Sequence, residues 1–183
     1  MGHRLSKIVT RTGDAGTTGL GDGSRVAKDS LRIAALGDVD ELNSLLGVIL
    51  CESLPDEARD LIVGVQHDLF DLGGELAVPG GAFLKPGQPD RLEMAVERYN
   101  GELTPLKEFI LPGGTQAAAL MHLARTVCRR AERSVVALGT TETVSDTTRK
   151  YLNRLSDLLF VLGRWLNKEN GCGDVLWHKG RSA

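Results

Sequence analysis

Aromatic residues are scarce in this sequence: Phe, Tyr and Trp make up 4% of its 183 residues, so the apolar load falls on Leu, Ala and Val. That mixture favours helices packed on helices. Cysteine is sparse too. Cys51, Cys128 and Cys172 are odd in number, far apart and in no Cys-x-x-Cys arrangement, which suggests neither a disulfide framework nor a zinc knuckle and makes a reducing cytoplasm the expected setting. No apolar run approaches the roughly 18 residues of a membrane span. Met1 to Lys7 lack the apolar core of a secretory signal, so a soluble, unexported protein is expected. Cations are not in excess: the net charge is −2, which argues against a general nucleic-acid binder. With 42% apolar and 25% charged residues, residues 1–183 are expected to form one domain with a sizeable core.

Familiar catalytic signatures are missing as well. No Gly-Lys-Ser or Gly-Lys-Thr follows the N-terminal glycines, so they form no Walker loop, and no βαβ pattern surrounds them, so they form no dinucleotide fingerprint. His67 and His122 have Gly64 and Ala119 three residues before them instead of glutamate, which removes the di-iron bundle signature. Neither His-Glu-x-x-His nor a nucleophile elbow occurs. The expected chemistry therefore uses neither a side-chain nucleophile nor a metal caged by the protein.

What is present is unevenly distributed. The first 32 residues hold six cations, Arg4, Lys7, Arg11, Arg25, Lys28 and Arg32, against Asp14, Asp22 and Asp29, leaving sixteen cations against twenty-one anions in the remainder. A locally cationic arm on an acidic body suits a small anionic ligand. From Val9 to Ser30, Gly13, Gly16, Gly19, Gly21 and Gly23 recur among Thr, Ser and Asp without a helical period, which predicts a long loop. Five helices are expected beyond it. The first runs from about Asp38 to Glu52, with Val39, Leu42, Leu45, Leu46 and Ile49 at helical spacing. The second is capped by Asp56 and carries an apolar stripe from Ala58 to Leu76, and the third runs from Asp90 to about Leu103. Thr115 caps the fourth, which ends near Gly139 and buries Leu120, Leu123, Val127 and Ala131, and the fifth runs from about Ser145 to a stop at Gly171. No alternating strand pattern of useful length remains. The expected fold is all-α: a five-helix bundle over residues 31–171, with an arm, 1–30, before it and a tail, 172–183, after it. Such a bundle does not need the arm to fold, so the arm carries the functional question.

Each candidate site has two readings. The arm glycines with the hydroxyls of Thr10, Thr12, Thr17 and Thr18 could cradle phosphate oxygens, Lys28 adding charge, or the same composition could make a flexible tail. On the fourth helix Arg125, Arg129 and Glu132, flanked by Arg130 and Arg133, share a face opposite Leu123, Val127 and Ala131. A solvated, ion-paired face and a triphosphate site both fit. Asn153 shares a face with Ser156, Asp157 and Phe160, and either hydrogen-bonds a nucleotide or is an ordinary surface amide. Phe109-Ile-Leu-Pro-Gly-Gly114 is either a loop plugged into the core or an apolar wall over a bulky ligand.

Six ordered segments match one family: Thr10-Arg-Thr-Gly-Asp-Ala-Gly-Thr-Thr18, Arg25-Val-Ala-Lys-Asp29, Val39-Asp-Glu-Leu-Asn43, Phe109 to Gly114, Arg125-Thr-Val-Cys-Arg-Arg-Ala-Glu-Arg133 and Asn153-Arg-Leu-Ser-Asp157. Over nearly its whole length the sequence resembles the PduO-type ATP:cob(I)alamin adenosyltransferases. The resemblance implies a homotrimer of five-helix bundles that binds ATP between neighbouring subunits, under the arm. Thr10, Arg11, Thr12, Gly13, Thr18, Gly19 and Lys28 would hold the nucleotide, with Asp14 and Gly16 shaping the loop. Arg129, Arg130, Ala131, Glu132, Arg133 and Asn153 would complete the site, Arg129 and Lys28 on the triphosphate and Mg²⁺ bridging its oxygens. Asp40 matches an aspartate that pairs with Arg125 of the partner subunit, and Phe109 matches the aromatic that closes the lower cobalt face of cobalamin. In such enzymes cob(I)alamin attacks the ribose C5′ and triphosphate leaves, so the protein positions two partners and stabilises an anion. A reductase and an adenosylcobalamin-dependent enzyme are the implied partners. Arg11 and Ala15 stand where many members carry lysines. The competing readings are a non-catalytic ATP-sensing bundle and a helical oligomerisation module.

Overall fold

Five helices carry most of residues 8–181, which the structure, a computed structural model, describes. They are α1 (Leu31–Ile49), α2 (Asp56–Ala77), α3 (Gly87–Gly101), α4 (Gln116–Leu138) and α5 (Asp146–Glu169). The expected cap at Thr115 holds, its Oγ1 accepting from the Ala118 amide at 3.2 Å, and Ser145, near which α5 is expected to start, caps that helix by accepting from the Thr148 amide at 3.0 Å. At the end of α5, Gly171 takes φ +70°, its amide bonds the Lys168 carbonyl at 2.9 Å and that of Cys172 bonds Asn167 at 2.8 Å. These paired bonds satisfy carbonyls that the helix end would otherwise leave open.

Three starts differ from the sequence expectation. α1 begins at Leu31 rather than near Asp38, because Arg32 is 4% exposed and its guanidinium donates to the Leu76 carbonyl at 2.6 Å and to Glu142. Tertiary partners thus draw in a cation that periodicity leaves outside. Asp56 does not cap α2 but is its first residue, after Pro55, where its carboxylate and that of Glu57 face the positive end of the helix. α3 starts at Gly87 instead of Asp90, with Pro89 in its first turn. Asp68 explains the early start, accepting from Gln88 Nε2 at 2.6 Å, from Tyr151 Oη at 2.8 Å and from Arg91. Glu75 likewise accepts from the amides of Phe83 and Leu84 at 2.6 and 2.7 Å and from Thr148 Oγ1 at 2.6 Å.

α4 packs against α1 and α5, α3 against α5, and α2 against α1. Leu42, Leu46, Leu69, Leu72, Met121, Val135, Leu155 and Leu162 fill the space between them. Each such side chain contributes about 1.5–3 kcal/mol by leaving water. No helix among the described residues is long and apolar enough to cross a membrane. Leu120 is only partly buried and Leu123 is 50% exposed, so the inner face of α4 runs instead through Met121, Ala124, Val127, Cys128 and Ala131.

His122 is buried, edge-on to Phe160, and its Nδ1 has no hydrogen-bond partner among the described residues. Burial first, and then the Arg125 charge, hold its pKa below the ordinary 6.5. The neutral imidazole therefore belongs to the folded state. Its contribution is complete above the unfolded value and is lost as pH falls through the folded one. Thermal unfolding should show a drop in Tm between about pH 7 and pH 5.5 that is smaller in His122→Gln. An equal drop in both proteins would rule His122 out as the source.

The arm has its own structure, contrary to the expectation of a loop without strands. β1 (Thr17–Gly19) pairs antiparallel with β2 (Arg25–Ala27), Thr18 opposite Val26. Strands this short cannot display an alternating pattern. The turn between them is closed by the Leu20 amide on the Ser24 carbonyl at 2.8 Å, and the Gly21 amide ties it to the end of α2 through the Ala77 carbonyl at 2.7 Å.

Candidate functional site

The arm is stitched together by one side chain. Arg25 Nη2 donates to the carbonyls of Thr12 at 2.6 Å and Thr17 at 3.2 Å and to Thr17 Oγ1 at 2.8 Å. The Lys28 amide donates to the Gly16 carbonyl at 2.9 Å, and the Lys28 ammonium lies against Gly13. Thr10 and Thr12 bring their hydroxyls within 3.0 Å, and Arg11 between them holds φ at 59°. A left-handed arginine costs about 1–3 kcal/mol, so the surrounding bonds hold this turn against strain. Thr10, Arg11, Thr12, Gly13, Asp14, Gly16, Thr18, Gly19 and Lys28 therefore belong to one small folded unit. Thr18, Gly19, Leu20 and Lys28 line a cleft of about 440 Å³ with Ile33, Leu36 and Ala77. A neighbouring cleft of about 380 Å³ shares Leu36 and Ala77 and reaches Asp40, Asn43 and Phe70.

The second group sits on α4 and α5. Arg129 is exposed and, among the described residues, pairs with no carboxylate. Arg125 is half-buried with an unpartnered Nε, and burial, then Arg129, lowers its pKa from the ordinary value. Glu132 Oε1 accepts from Asn153 Nδ2 at 3.2 Å, Arg154 holds Asn153 Oδ1 at 2.8 Å, and Arg133 donates to the Arg129 carbonyl at 3.1 Å. Arg130 behaves differently. It turns to α1 and pairs with Asp38 at 2.6 Å and with Glu41 at 2.5 Å, which matches the ion-paired reading of this face and raises its pKa, chiefly through the bond to Glu41. Asp40 is exposed on α1 and does not meet Arg125 within the chain. Among the described residues no hydrogen bond or ion pair joins the arm to the α4 and α5 group. One chain carries two separate halves.

The third group is apolar. Phe109 is 78% exposed, so its loop is not a plug in the core. The tail does not run free beyond α5: Leu111 donates its amide to the Val175 carbonyl at 2.8 Å, the Trp177 amide donates to the Phe109 carbonyl at 2.7 Å, and Ile110 bridges to Leu176. Phe109, Ile110, Leu111 and Trp177 line a cavity of about 370 Å³. Sequence reasoning did not include Trp177 in the site, since a pairing between segments this far apart leaves no local pattern. Beside it, Gly114 has φ +99°, and a Cβ there would stand 2.2 Å from Asn167 Oδ1. Asn167 accepts from the Thr115 amide at 2.9 Å and donates to the Gly113 carbonyl at 3.0 Å. Gly114→Ala should therefore lower stability by at least about 1–3 kcal/mol, from backbone strain and the displaced amide. Urea unfolding reads it, and an unchanged midpoint would contradict the packing described here.

Among the described residues no group of three His, Cys, Asp or Glu side chains stands together as a metal site. The model of the cobalamin adenosyltransferase family matches residues 8–166. The chain belongs to this family. A cobalamin adenosyltransferase of Cupriavidus metallidurans is 60% identical over 184 residues, covering 100% of both chains. A corrinoid adenosyltransferase of Mycobacterium leprae is 48% identical over 193 residues, covering 98% of this chain and 100% of that one. Among solved structures, a phenylalanine-to-histidine variant of a PduO-type ATP:corrinoid adenosyltransferase from Lactobacillus reuteri, complexed with cobalamin and ATP, superposes with a TM-score of 0.91 at 35% identity. That match covers 94% of this chain and 97% of the other. In this cobalamin adenosyltransferase chain the span matched by the family model takes in the described arm and the α4 arginines, whereas the strap from Asp174 to Trp177 lies beyond it.

Proposed function

We infer that the chain is an ATP-dependent corrinoid adenosyltransferase: cobalt of cob(I)alamin attacks the ribose C5′ of ATP, the C5′–O bond breaks, and triphosphate leaves. The observation that carries this reading is a cationic, hydroxyl-rich arm and an unpaired Arg129 in the same chain as an exposed apolar pocket, within a cobalamin adenosyltransferase fold. Thr10, Arg11, Thr12, Gly13, Thr18, Gly19 and Lys28 bind the nucleotide, Asp14 and Gly16 shape the turn, and Arg129, Arg133, Glu132 and Asn153 close the site, whereas Ala131, fully buried on the inner face of α4, packs behind it and does not touch the nucleotide. Arg130, its charge taken up by Asp38 and Glu41, fixes the helix that presents Arg129. Mg²⁺ bound with ATP would offset part of the triphosphate charge, and Lys28 and Arg129 would hold the remaining negative charge.

The two halves separated within one chain support assembly with further copies as a homotrimer, each arm meeting the α4 face of a neighbour. The unpartnered Nε of Arg125 and the exposed Asp40 fit the same picture, pairing across that junction. Phe109 covers the lower cobalt face, where excluding water and the axial base makes cob(II)alamin easier to reduce. A one-electron reductase supplies the cob(I) state, and an adenosylcobalamin-dependent enzyme takes the product. Cobalamin itself or an earlier corrinoid serves as acceptor. Three free cysteines suit a reducing cytoplasm. Incubation with ATP, Mg²⁺ and chemically reduced cobalamin tests the reading: a light-labile alkyl-cobalt product is expected, and ATP binding without it would favour the ATP-sensing alternative.

A further inference from the structure

We propose that Arg164 and Asp174 form a clasp that sets the shape of the apolar pocket and act as positioning residues for adenosyl transfer, an inference that rests on the corrinoid reading of that pocket. Arg164 lies on α5 and is 4% exposed. Its Nε donates to Asp174 Oδ2 at 2.9 Å and its Nη2 to the Thr104 carbonyl at 2.8 Å. The two acceptors begin the two segments that build the pocket. Directly after Asp174, Val175 takes the Leu111 amide, and Trp177 then bonds back to Phe109. One turn along α5, Asn167 holds the far end of the same loop through Gly113 and Thr115. Phe109 is therefore suspended between two anchors on one helix, and Trp177 is placed against it by a strap that the clasp secures.

The neighbouring polar cavity, lined in part by Glu102, Thr104, Arg164, Lys168 and Asp174, has its charges paired internally, Lys168 with Glu102 at 3.0 Å and Arg164 with Asp174. Its chemistry is spent on holding the two segments. A guanidinium presents two donors in a fixed fork and so reaches both acceptors, whereas an ammonium is a single point charge. Without Asp174 the arginine would be a buried, uncompensated charge, so docking of the strap and burial of Arg164 are coupled.

The test compares wild type with Asp174→Asn, which leaves the helices untouched, and with Arg164→Gln and Arg164→Lys. Amide exchange at Leu111 and Trp177 should quicken about tenfold or more in Asp174→Asn and Arg164→Gln while α4 amides stay protected. Adenosylation starting from cob(II)alamin should fall about tenfold to a hundredfold, as for other displaced positioning groups, with Arg164→Lys intermediate. The electron paramagnetic resonance signal of four-coordinate cob(II)alamin should weaken in parallel, and ATP affinity should stay within about twofold. Unchanged exchange, or faster exchange with an undiminished four-coordinate signal, would overturn the clasp as a positioning device. Clasp-dependent exchange in a chain whose wild type never adenosylates cobalamin would instead refute the corrinoid reading alone.

Discussion

Phe109→Ala is expected to cut adenosylation from cob(II)alamin by about a hundredfold while costing much less from pre-reduced cob(I)alamin. The asymmetry follows from where the ring stands. Phe109 is 78% exposed beside Trp177, in a pocket of about 370 Å³, and no hydrogen bond or charge contributes to its role. What it supplies is exclusion: with the ring gone, water or the axial base can return to cobalt, and a five-coordinate cob(II) centre is harder to reduce. A corrinoid already reduced has passed that step. Because no hydrogen bond among the described residues joins this loop to the arm or to Arg129 and Arg133, ATP affinity should stay within about twofold. Parallel assays from the two oxidation states decide it, and equal losses would remove the axial-face role.

Arg129→Ala should weaken ATP binding by about 1.5–3 kcal/mol, roughly tenfold to 150-fold in Kd. Arg130 next to it already spends its charge on Asp38 and Glu41, Arg125 is half-buried, and Arg133 is turned back onto the Arg129 carbonyl, so Arg129 is an exposed guanidinium of this helix with neither a carboxylate nor a carbonyl holding it among the described residues. An unpaired, solvated arginine costs little to present and gains a full charge-assisted bond when a triphosphate arrives. Arg129→Lys should recover part of the loss, retaining charge without the fork. Calorimetric titration measures it, and an unchanged Kd would place the nucleotide elsewhere.

Much of the bundle was legible in the sequence because its signals are local. The cap at Thr115, the start of α5 near Ser145, its stop at Gly171 and the apolar stripe of α2 depend on neighbours within a turn or two. What was not legible depends on distant partners. The early start of α1 rests on Arg32 reaching Leu76 and Glu142, and that of α3 rests on Asp68 and Glu75 collecting donors from the following loop. The same holds for the site. Residues of the arm and of the α4 face were readable as types at a spacing, yet the turning of Arg130 toward α1 and the pairing of Trp177 with Phe109 come from contacts across the fold. Glycine-rich composition in the arm concealed the hairpin, since strands of three residues carry no period.

The central claim is that one active site makes a cobalt–carbon bond at the expense of the C5′–O bond of ATP. Under anaerobic conditions with Mg²⁺, ATP and cob(I)alamin, loss of the cob(I)alamin absorbance should match release of intact triphosphate one for one. Triphosphate without corrinoid change, or ATP bound with neither signal moving, would contradict it.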